Sequence, residues 1–106
     1  MKQFRLDDMT NGWFVGDFTP AALRTRDAEV AVKRYAAGDR EARHYHKVGT
    51  EITLVLTGEV RMSGTTCRAG EIIVLDPGEG TDFAAVTDAT TVVVKLPSVA
   101  ADKFTA

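Results

Sequence analysis

The chain has 106 residues, a formal net charge of −2, 44% hydrophobic residues and 26% charged residues. This length suits one domain with a single core, and the composition is ordinary for a globular protein. The charge balance offers no broad basic surface to a phosphate backbone, and no apolar run approaches the ~20 residues that span a bilayer, so we expect neither a nucleic-acid partner nor a membrane partner.

The N-terminal residues and the cysteine content bear on the location of the protein. Residues 1–8 contain an early lysine but no apolar segment, so we expect no secretory signal there. Cys67 is the only cysteine and cannot form a disulfide within the chain. Both observations favour a cytoplasmic location.

Short strand-like runs follow one another along the chain, separated by Gly-, Pro- and Asp-rich turns. The first, over residues 12–18, mixes aromatic residues with glycine, and the second, over residues 28–36, is rich in valine and ends in tyrosine and alanine. A helix over residues 20–30 is an alternative. Residues 24–27 show no apolar stripe, so we expect one short turn there at most.

The later strands are closely and regularly spaced. They are predicted at residues 41–47, 51–57, 59–62, 65–68, 71–75, 81–86 and 90–96. Many short strands without amphipathic helices between them indicate an all-β sandwich or barrel rather than an α/β fold. We expect one domain with short N-terminal strands in residues 1–27, the barrel core over residues 28–97 and a tail without a clear pattern at residues 98–106.

Two histidines and a glutamate have a spacing suited to metal binding. Side chains two apart on a strand point to the same face, with Cα atoms about 7 Å apart, so His44 and His46 can approach one cation. Glu51 follows a predicted turn and opens the next strand. If that strand is the adjacent antiparallel one, the Glu51 carboxylate lies beside both imidazoles. Two histidines and one carboxylate leave coordination positions open for water or substrate.

The strand that begins with Glu51 has two different faces. Thr53 and Val55 share the inward face of Glu51. The opposite face is apolar as well and carries Ile52, Leu54 and Leu56. This strand is therefore expected to be covered on both sides, either by a second sheet or by a partner subunit, and we predict a homodimer.

The segment from Gly38 to Gly58 resembles the first motif of the cupin family at every signature position. Its order is Gly38, five residues, His44, one residue, His46, four residues, Glu51, six residues and Gly58. The resemblance extends over about residues 30–96. It implies a double-stranded β-helix, that is, a jelly-roll barrel, with a metal- or ligand-binding pocket inside and frequent dimerisation. It implies no particular reaction, because cupins include dioxygenases, isomerases, lyases and plain sugar binders.

The second cupin motif is matched only in part. Gly70 and Gly78 are in place, but Asp76 stands where the resemblance implies a proline. The position of a third histidine falls on Thr81, whose hydroxyl is a poor metal ligand beside imidazole, and the position of an asparagine falls on Ala85.

Two acidic residues lie close enough in sequence to Thr81 to replace the missing histidine. They are Glu79 and Asp82. If Thr81 points inward, the period of two turns Asp82 outward, so we assign neither residue as a ligand. Thr53 and Thr81 are predicted to line the pocket.

The strand over residues 28–36 offers two further polar side chains. If its inner face alternates as Ala31, Lys33 and Tyr35, one of the two polar residues reaches the mouth of the pocket.

The leading hypothesis is a small cupin in which His44, His46 and Glu51 hold Fe, Mn, Ni or Zn and a small organic molecule is bound or transformed, with a dioxygenase- or isomerase-type reaction in view. The alternative is a metal-free sugar- or metabolite-binding or accessory protein, in which the same three side chains hydrogen-bond to one another, to water or to an organic ligand. A third hypothesis is a structural or regulatory dimer with a vestigial site.

Overall fold

The computed structural model describes residues 1–105; Ala106, the last residue of the predicted tail, lies outside them. One 3₁₀ turn, Leu6–Asp8, precedes the strands. The strands are β1 (Trp13–Gly16), β2 (Leu23–Arg24), β3 (Glu29–Tyr35), β4 (Arg40–Tyr45), β5 (Thr50–Thr57), β6 (Glu59–Met62), β7 (Thr65–Arg68), β8 (Ile72–Leu75), β9 (Gly80–Ala85), β10 (Ala89–Leu96) and β11 (Phe104–Thr105).

The predicted strand runs are confirmed to within about two residues at most ends. The helix considered over residues 20–30 is absent from that segment, which contains β2 instead. β11 lies in the tail, where no strand was predicted. Among residues 1–105, no helix has the length and apolar character needed to cross a bilayer.

The strands form two sheets that face each other. One sheet has the order β2-β1-β3-β10-β5-β8, and the other has the order β11-β4-β9-β6-β7. Most neighbours in these sheets are distant in sequence, and every pairing except β1 with β2 is antiparallel. This is the jelly-roll arrangement, and it confirms the predicted all-β fold class.

The expected pairing of the histidine strand with the glutamate strand is wrong. β4 pairs with β11 and β9, whereas β5 pairs with β10 and β8. The chain crosses from one sheet to the other between β4 and β5, as jelly-roll connections do. Glu51 therefore approaches the histidines across the interior of the barrel and not along a shared ladder.

The core and the cavity follow one another along β5. Val55 is completely buried in an apolar cluster with Val60, Phe83 and their neighbours from both sheets. Two and four residues earlier, on the same inward face, Thr53 and Glu51 line a cavity. The predicted alternation of faces is confirmed, because Leu56 on the other face is 53% exposed. Alternate residues of β5 therefore face the interior, where Val55 contributes to the apolar core and Thr53 and Glu51 contribute to the polar cavity.

Candidate functional site

A cavity of about 450 Å³ lies between the two sheets and borders the apolar core at Met62 and Phe83. Four residues predicted from the sequence line it: His44, Glu51, Thr53 and Thr81. His46 does not line this cavity, because its side chain is buried behind it with 5% of its surface exposed.

A hydrogen bond to the backbone determines which ring nitrogen of His44 carries the proton. His44 lies near the end of β4, directly opposite Thr81 on β9. Its Nδ1 is 3.0 Å from the carbonyl oxygen of Ala42. A carbonyl can only accept, so Nδ1 donates, and the lone pair of the neutral ring is on Nε2.

His46 has the same arrangement at a second carbonyl. It follows the last residue of β4, and its Nδ1 donates to the carbonyl oxygen of Asp102. Its Nε2 is buried, has no hydrogen-bond partner among residues 1–105, and lies 3.7 Å from Oε1 of Glu51. The rings of His44 and His46 are close, with centroids 5.5 Å apart. Metal-ligating histidines usually donate their second ring nitrogen to a carbonyl or carboxylate in this way.

Asp102 also anchors the loop that follows His46. Its carboxylate accepts backbone N–H groups from Lys47 at 2.9 Å, from Val48 at 3.1 Å and from Gly49 at 2.8 Å. Partial desolvation raises the pKa of Asp102, but these three hydrogen bonds and the nearby His46 outweigh it, so the net pKa is lowered. The C-terminal tail therefore holds both the loop and the buried histidine.

The donor set of His44, His46 and Glu51 fits a metal ion in part. Two atoms that each lie about 2.1 Å from one ion are at most about 4.2 Å apart, and His46 Nε2 and Glu51 Oε1 satisfy this limit. Within residues 1–105, however, no group of three or more His, Cys, Asp or Glu side chains is arranged to hold a metal ion. His44 must turn toward the other two side chains to complete the set.

Neither Thr81 nor the two acidic residues considered as replacements for the third histidine, Glu79 and Asp82, offers a free oxygen to the cavity. Thr81 is buried, and its hydroxyl donates to the carbonyl of Asp82 at 2.7 Å and accepts from the hydroxyl of Ser63 at 3.0 Å. The carboxylates of Asp82 and Glu79 accept backbone N–H groups of Ser63 and Asp76, respectively, and neither residue lines the cavity.

A second polar wall, formed largely by β3 and β10, was only partly anticipated. Lys33 and Tyr35 both line the cavity, as their alternation on β3 suggested, and so do Glu41, Thr91 and Lys95. The Tyr35 hydroxyl donates to Glu41 Oε1 at 3.1 Å. Burial raises the pKa of Tyr35 above its usual range, and the carboxylate of Glu41 raises it further.

The contributions of Glu41 and Thr91 were missed because they depend on sheet pairing. The pairing of β4 with β9 and of β10 with β3 joins segments about 40 to 60 residues apart, which no local pattern specifies.

Comparison with known proteins identifies the fold. No protein-family model and no curated protein matches the sequence. Among solved structures, a Klebsiella pneumoniae protein with a double-stranded β-helix domain has a TM-score of 0.65 and 27% identity, over 70% of this chain and 66% of that one. The chain thus spans slightly less than two thirds of that protein.

Two further structures are similar. KdgF from Halomonas sp. has a TM-score of 0.65 at 18% identity, over 72% of this chain and 74% of that one. A sugar phosphate isomerase of the cupin superfamily from Silicibacter pomeroyi has a TM-score of 0.60 at 23% identity, over 68% of this chain and 52% of that one. The two-sheet jelly roll of this chain is therefore the double-stranded β-helix fold that these cupin structures share.

Proposed function

We propose that the chain is a cupin that holds a divalent metal ion through His44, His46 and Glu51, and that it binds or transforms a small organic molecule in the adjacent cavity. One observation carries the proposal. The Nε2 atom of His46 is buried without a hydrogen-bond partner among residues 1–105 and lies 3.7 Å from the Glu51 carboxylate. Burying such an acceptor unpaired costs free energy, which a metal ion at this position would recover.

The environment of the two histidines supports the same proposal. Each ring donates from Nδ1 to a backbone carbonyl, which leaves the Nε2 lone pair free for a ligand bond. Imidazole and carboxylate together suit Fe, Mn, Ni and Zn. A metal bound there would supply Lewis acidity to an oxygen of the organic ligand, which is compatible with isomerase- or dioxygenase-type chemistry.

The residues around the site would position that ligand. The cavity volume of about 450 Å³ is in the range of small-molecule sites. The Tyr35 phenol, with its raised pKa, stays protonated at neutral pH and already donates to Glu41. It can therefore orient Glu41 without carrying charge itself.

Elemental analysis tests the metal proposal. Protein stripped with a chelator and then incubated with Zn²⁺ or Mn²⁺ should retain about one ion per chain after desalting. The His44→Ala/His46→Ala double variant should retain none, because these are the only two histidines. Glu79→Gln is the matched control, since Glu79 lies outside the cavity and should not change retention.

A metal-free binding function is the second candidate, and Thr81 favours it. Its hydroxyl, at the position where the family resemblance implies a third histidine, is occupied by Ser63 and Asp82. In that case the wild-type chain should take up no metal after stripping, and an organic molecule retained from the cell should be released from it on denaturation. Uptake abolished by the histidine substitutions would rule this candidate out.

A homodimer and a cytoplasmic location complete the proposal. The outer face of β5 presents Ile52, Leu54 and Leu56 in a broader apolar surface that a second copy of the chain would cover. The single Cys67 is buried and unpaired, as is usual in a reducing compartment.

A further inference from the structure

We propose that the wall formed by β3 and β10 is an anion subsite, in which Lys33 and Thr91 bind a carboxylate or phosphate group of the small organic ligand. This inference names the ligand class of the cavity described above, and so it rests on the proposal that the cavity binds a small molecule. It does not require that the metal site exists.

Lys33 and Thr91 are placed side by side by the register of the sheet. They are paired across β3 and β10, and both line the cavity. Directly paired residues of antiparallel strands have Cβ atoms about 5 Å apart on the same face. An ammonium group and a hydroxyl group therefore converge on one part of the cavity wall.

Thr91 provides the first sign of a missing ligand. Its side chain is completely buried, and its Oγ1 has no hydrogen-bond partner of normal geometry among residues 1–105. An interaction with the Thr91 hydroxyl lowers the pKa of the Tyr35 phenol, less than burial and the carboxylates raise it, but its geometry does not amount to a hydrogen bond. A buried hydroxyl without a partner is uncommon and unfavourable, and a ligand oxygen in the cavity would satisfy it.

The lysines provide the second sign. The Nζ atoms of Lys33 and Lys95 lie 5.3 Å and 4.9 Å from the centroid of the Trp13 ring. Neither ammonium group is in an ion pair with a carboxylate of residues 1–105. Two positive charges on one aromatic ring repel each other, and an anion placed between them would remove that repulsion.

The carboxylates around the cavity compensate this charge only from beyond ion-pair distance, with Glu41 exerting the largest charge effect on Lys33. Glu41 accepts the hydroxyl of Tyr35, and Glu29 accepts the hydroxyl of Ser98. Glu51 faces His46. The direct contacts of these carboxylates are therefore made with other groups, and both ammonium groups remain free to pair directly with an anion.

The electrostatic environment of Lys33 agrees with this geometry. Burial lowers its pKa, the charges of Lys95 and Lys103 lower it further, and Glu41 and Glu51 oppose the change. A bound anion would return stabilisation to the charged form of Lys33. A cationic ligand would add to the repulsion, and a neutral ligand would leave the ammonium charge uncompensated.

The anion subsite adjoins the proposed metal site. Lys95 pairs with Glu51 across β10 and β5, and its ammonium group shares the Trp13 ring with that of Lys33. A ligand with its anionic group beside Lys33 and Thr91 can thus extend toward Glu51 and the histidines. This geometry points to an organic acid or organic phosphate with a second polar group.

Calorimetric titration with small probes tests the inference. The probes are succinate, inorganic phosphate and, as the uncharged analogue of succinate, butane-1,4-diol. Wild-type protein should bind at least one of the two anions with a Kd of about 1 mM or tighter and should not bind the diol. Succinate alone would identify a carboxylate site, phosphate alone a phosphate site, and both a site that recognises charge. Trp13 is the only tryptophan, so its fluorescence should change during the titration.

Two variants locate the binding. Lys33→Met keeps the length of the side chain without its charge and should weaken anion binding at least about tenfold. Thr91→Val keeps the shape of a buried residue and should weaken it by a smaller factor, which gives a second readout if Lys33→Met folds poorly. Lys2→Met, at an exposed lysine near the N-terminus, is the control and should bind like wild type.

The same titrations separate this inference from the metal proposal. Anion binding by the stripped His44→Ala/His46→Ala protein, lost in Lys33→Met, would support the subsite even if no metal is ever bound. If neither anion binds wild type at about 10 mM, or if Lys33→Met and Thr91→Val both bind as tightly as wild type, the inference is overturned. Anion binding that requires metal and ignores Lys33 would overturn it while leaving the metal site intact.

Discussion

Two backbone carbonyls, those of Ala42 and Asp102, determine which nitrogen each histidine offers to a ligand. Both accept from an Nδ1 atom, so both Nε2 atoms carry the lone pair in the neutral rings. The two histidines differ in what surrounds that lone pair. His44 borders the cavity, whereas His46 is buried against Glu51. At the scale of single residues, the candidate site combines a buried pair, His46 and Glu51, with His44 at the wall of the cavity.

Tyr35 gives a pH-dependent test at the same scale. Burial raises the pKa of its phenol, and Glu41 and Glu51 raise it further. Below the ordinary phenol value of about 10, Tyr35 is protonated in both the folded and the unfolded chain. Above that value the unfolded chain releases the proton first, so the contribution of Tyr35 to the free energy of unfolding should decline as the pH rises.

The measurement is a spectrophotometric titration of tyrosinate in wild type and in Tyr35→Phe. The difference between the two curves isolates Tyr35, and its midpoint should lie above about 10. Tyr45→Phe, which removes the only other phenol, checks the assignment. A difference curve centred at or below the ordinary phenol pKa of about 10 would contradict the burial of Tyr35 beside Glu41.

At the scale of elements, the C-terminal tail contacts both histidines of the candidate site, although it lies more than 50 residues later in the chain. β11 pairs with the end of β4, opposite His44 and Tyr45, and the aromatic ring of Phe104 lies 5.5 Å from that of Tyr45. Asp102, two residues before β11, holds the loop after His46 with its side chain and His46 itself with its carbonyl. One short segment thus supports both histidines.

Asp102→Ala should weaken metal retention more than it weakens the fold. The substitution removes three hydrogen bonds to a partly buried carboxylate, so we expect a loss of about 1 kcal/mol in the free energy of unfolding. The loop and His46 would then be free to shift, and metal affinity should fall about tenfold or more, as for other residues that support metal ligands. Chemical denaturation and competitive metal titration measure the two effects.

Asp88→Ala is the matched control for Asp102→Ala. Asp88 also accepts a backbone N–H, that of Ala37 at 2.8 Å, but it lies away from the histidines. It should lower stability without changing metal affinity. Equal changes of affinity in both variants would mean that Asp102 acts only through general stability.

Features set by neighbouring residues could be predicted from the sequence, whereas features set by contacts between distant residues could not. The strands and turns were predictable because alternation and Gly- and Pro-containing turns are local signals. The inward set of Glu51, Thr53 and Val55 followed from the period of two. The sheet to which a strand belongs depends on the crossing of the whole chain, and so β4 and β5 were wrongly paired. The carbonyl that accepts the hydrogen bond from His46 Nδ1 lies 56 residues later, in a segment outside the strands that has no periodic pattern.

At the scale of the molecule, the six-stranded sheet has an outer face with two apolar rows. The register aligns Val32, Val92, Leu54 and Ile72 in one row and Val30, Val94, Ile52 and Val74 in the other. Ile72 and Val74, on the edge strand β8, are 64% and 53% exposed. A continuous apolar surface across four strands, free of charged residues in both rows, favours association. Because both rows consist of apolar side chains, a second copy of the same face is a suitable partner.

The dimer can be tested without disturbing the cavity. Light scattering coupled to size exclusion, at micromolar concentration, should give twice the chain mass of 11.5 kDa for wild type. Leu54→Glu places a charge in the middle of the two rows and should give the monomer mass, because a buried unpaired carboxylate at an interface is strongly unfavourable. Thr65→Glu, at an exposed position of β7 in the other sheet, should remain dimeric. A monomer mass for wild type, or a dimer that survives Leu54→Glu, would contradict association through this face. Since the inward face of β5 carries Glu51 and the outward face carries Leu54, loss of the dimer with unchanged metal retention would also show that the two faces of this strand serve separate functions.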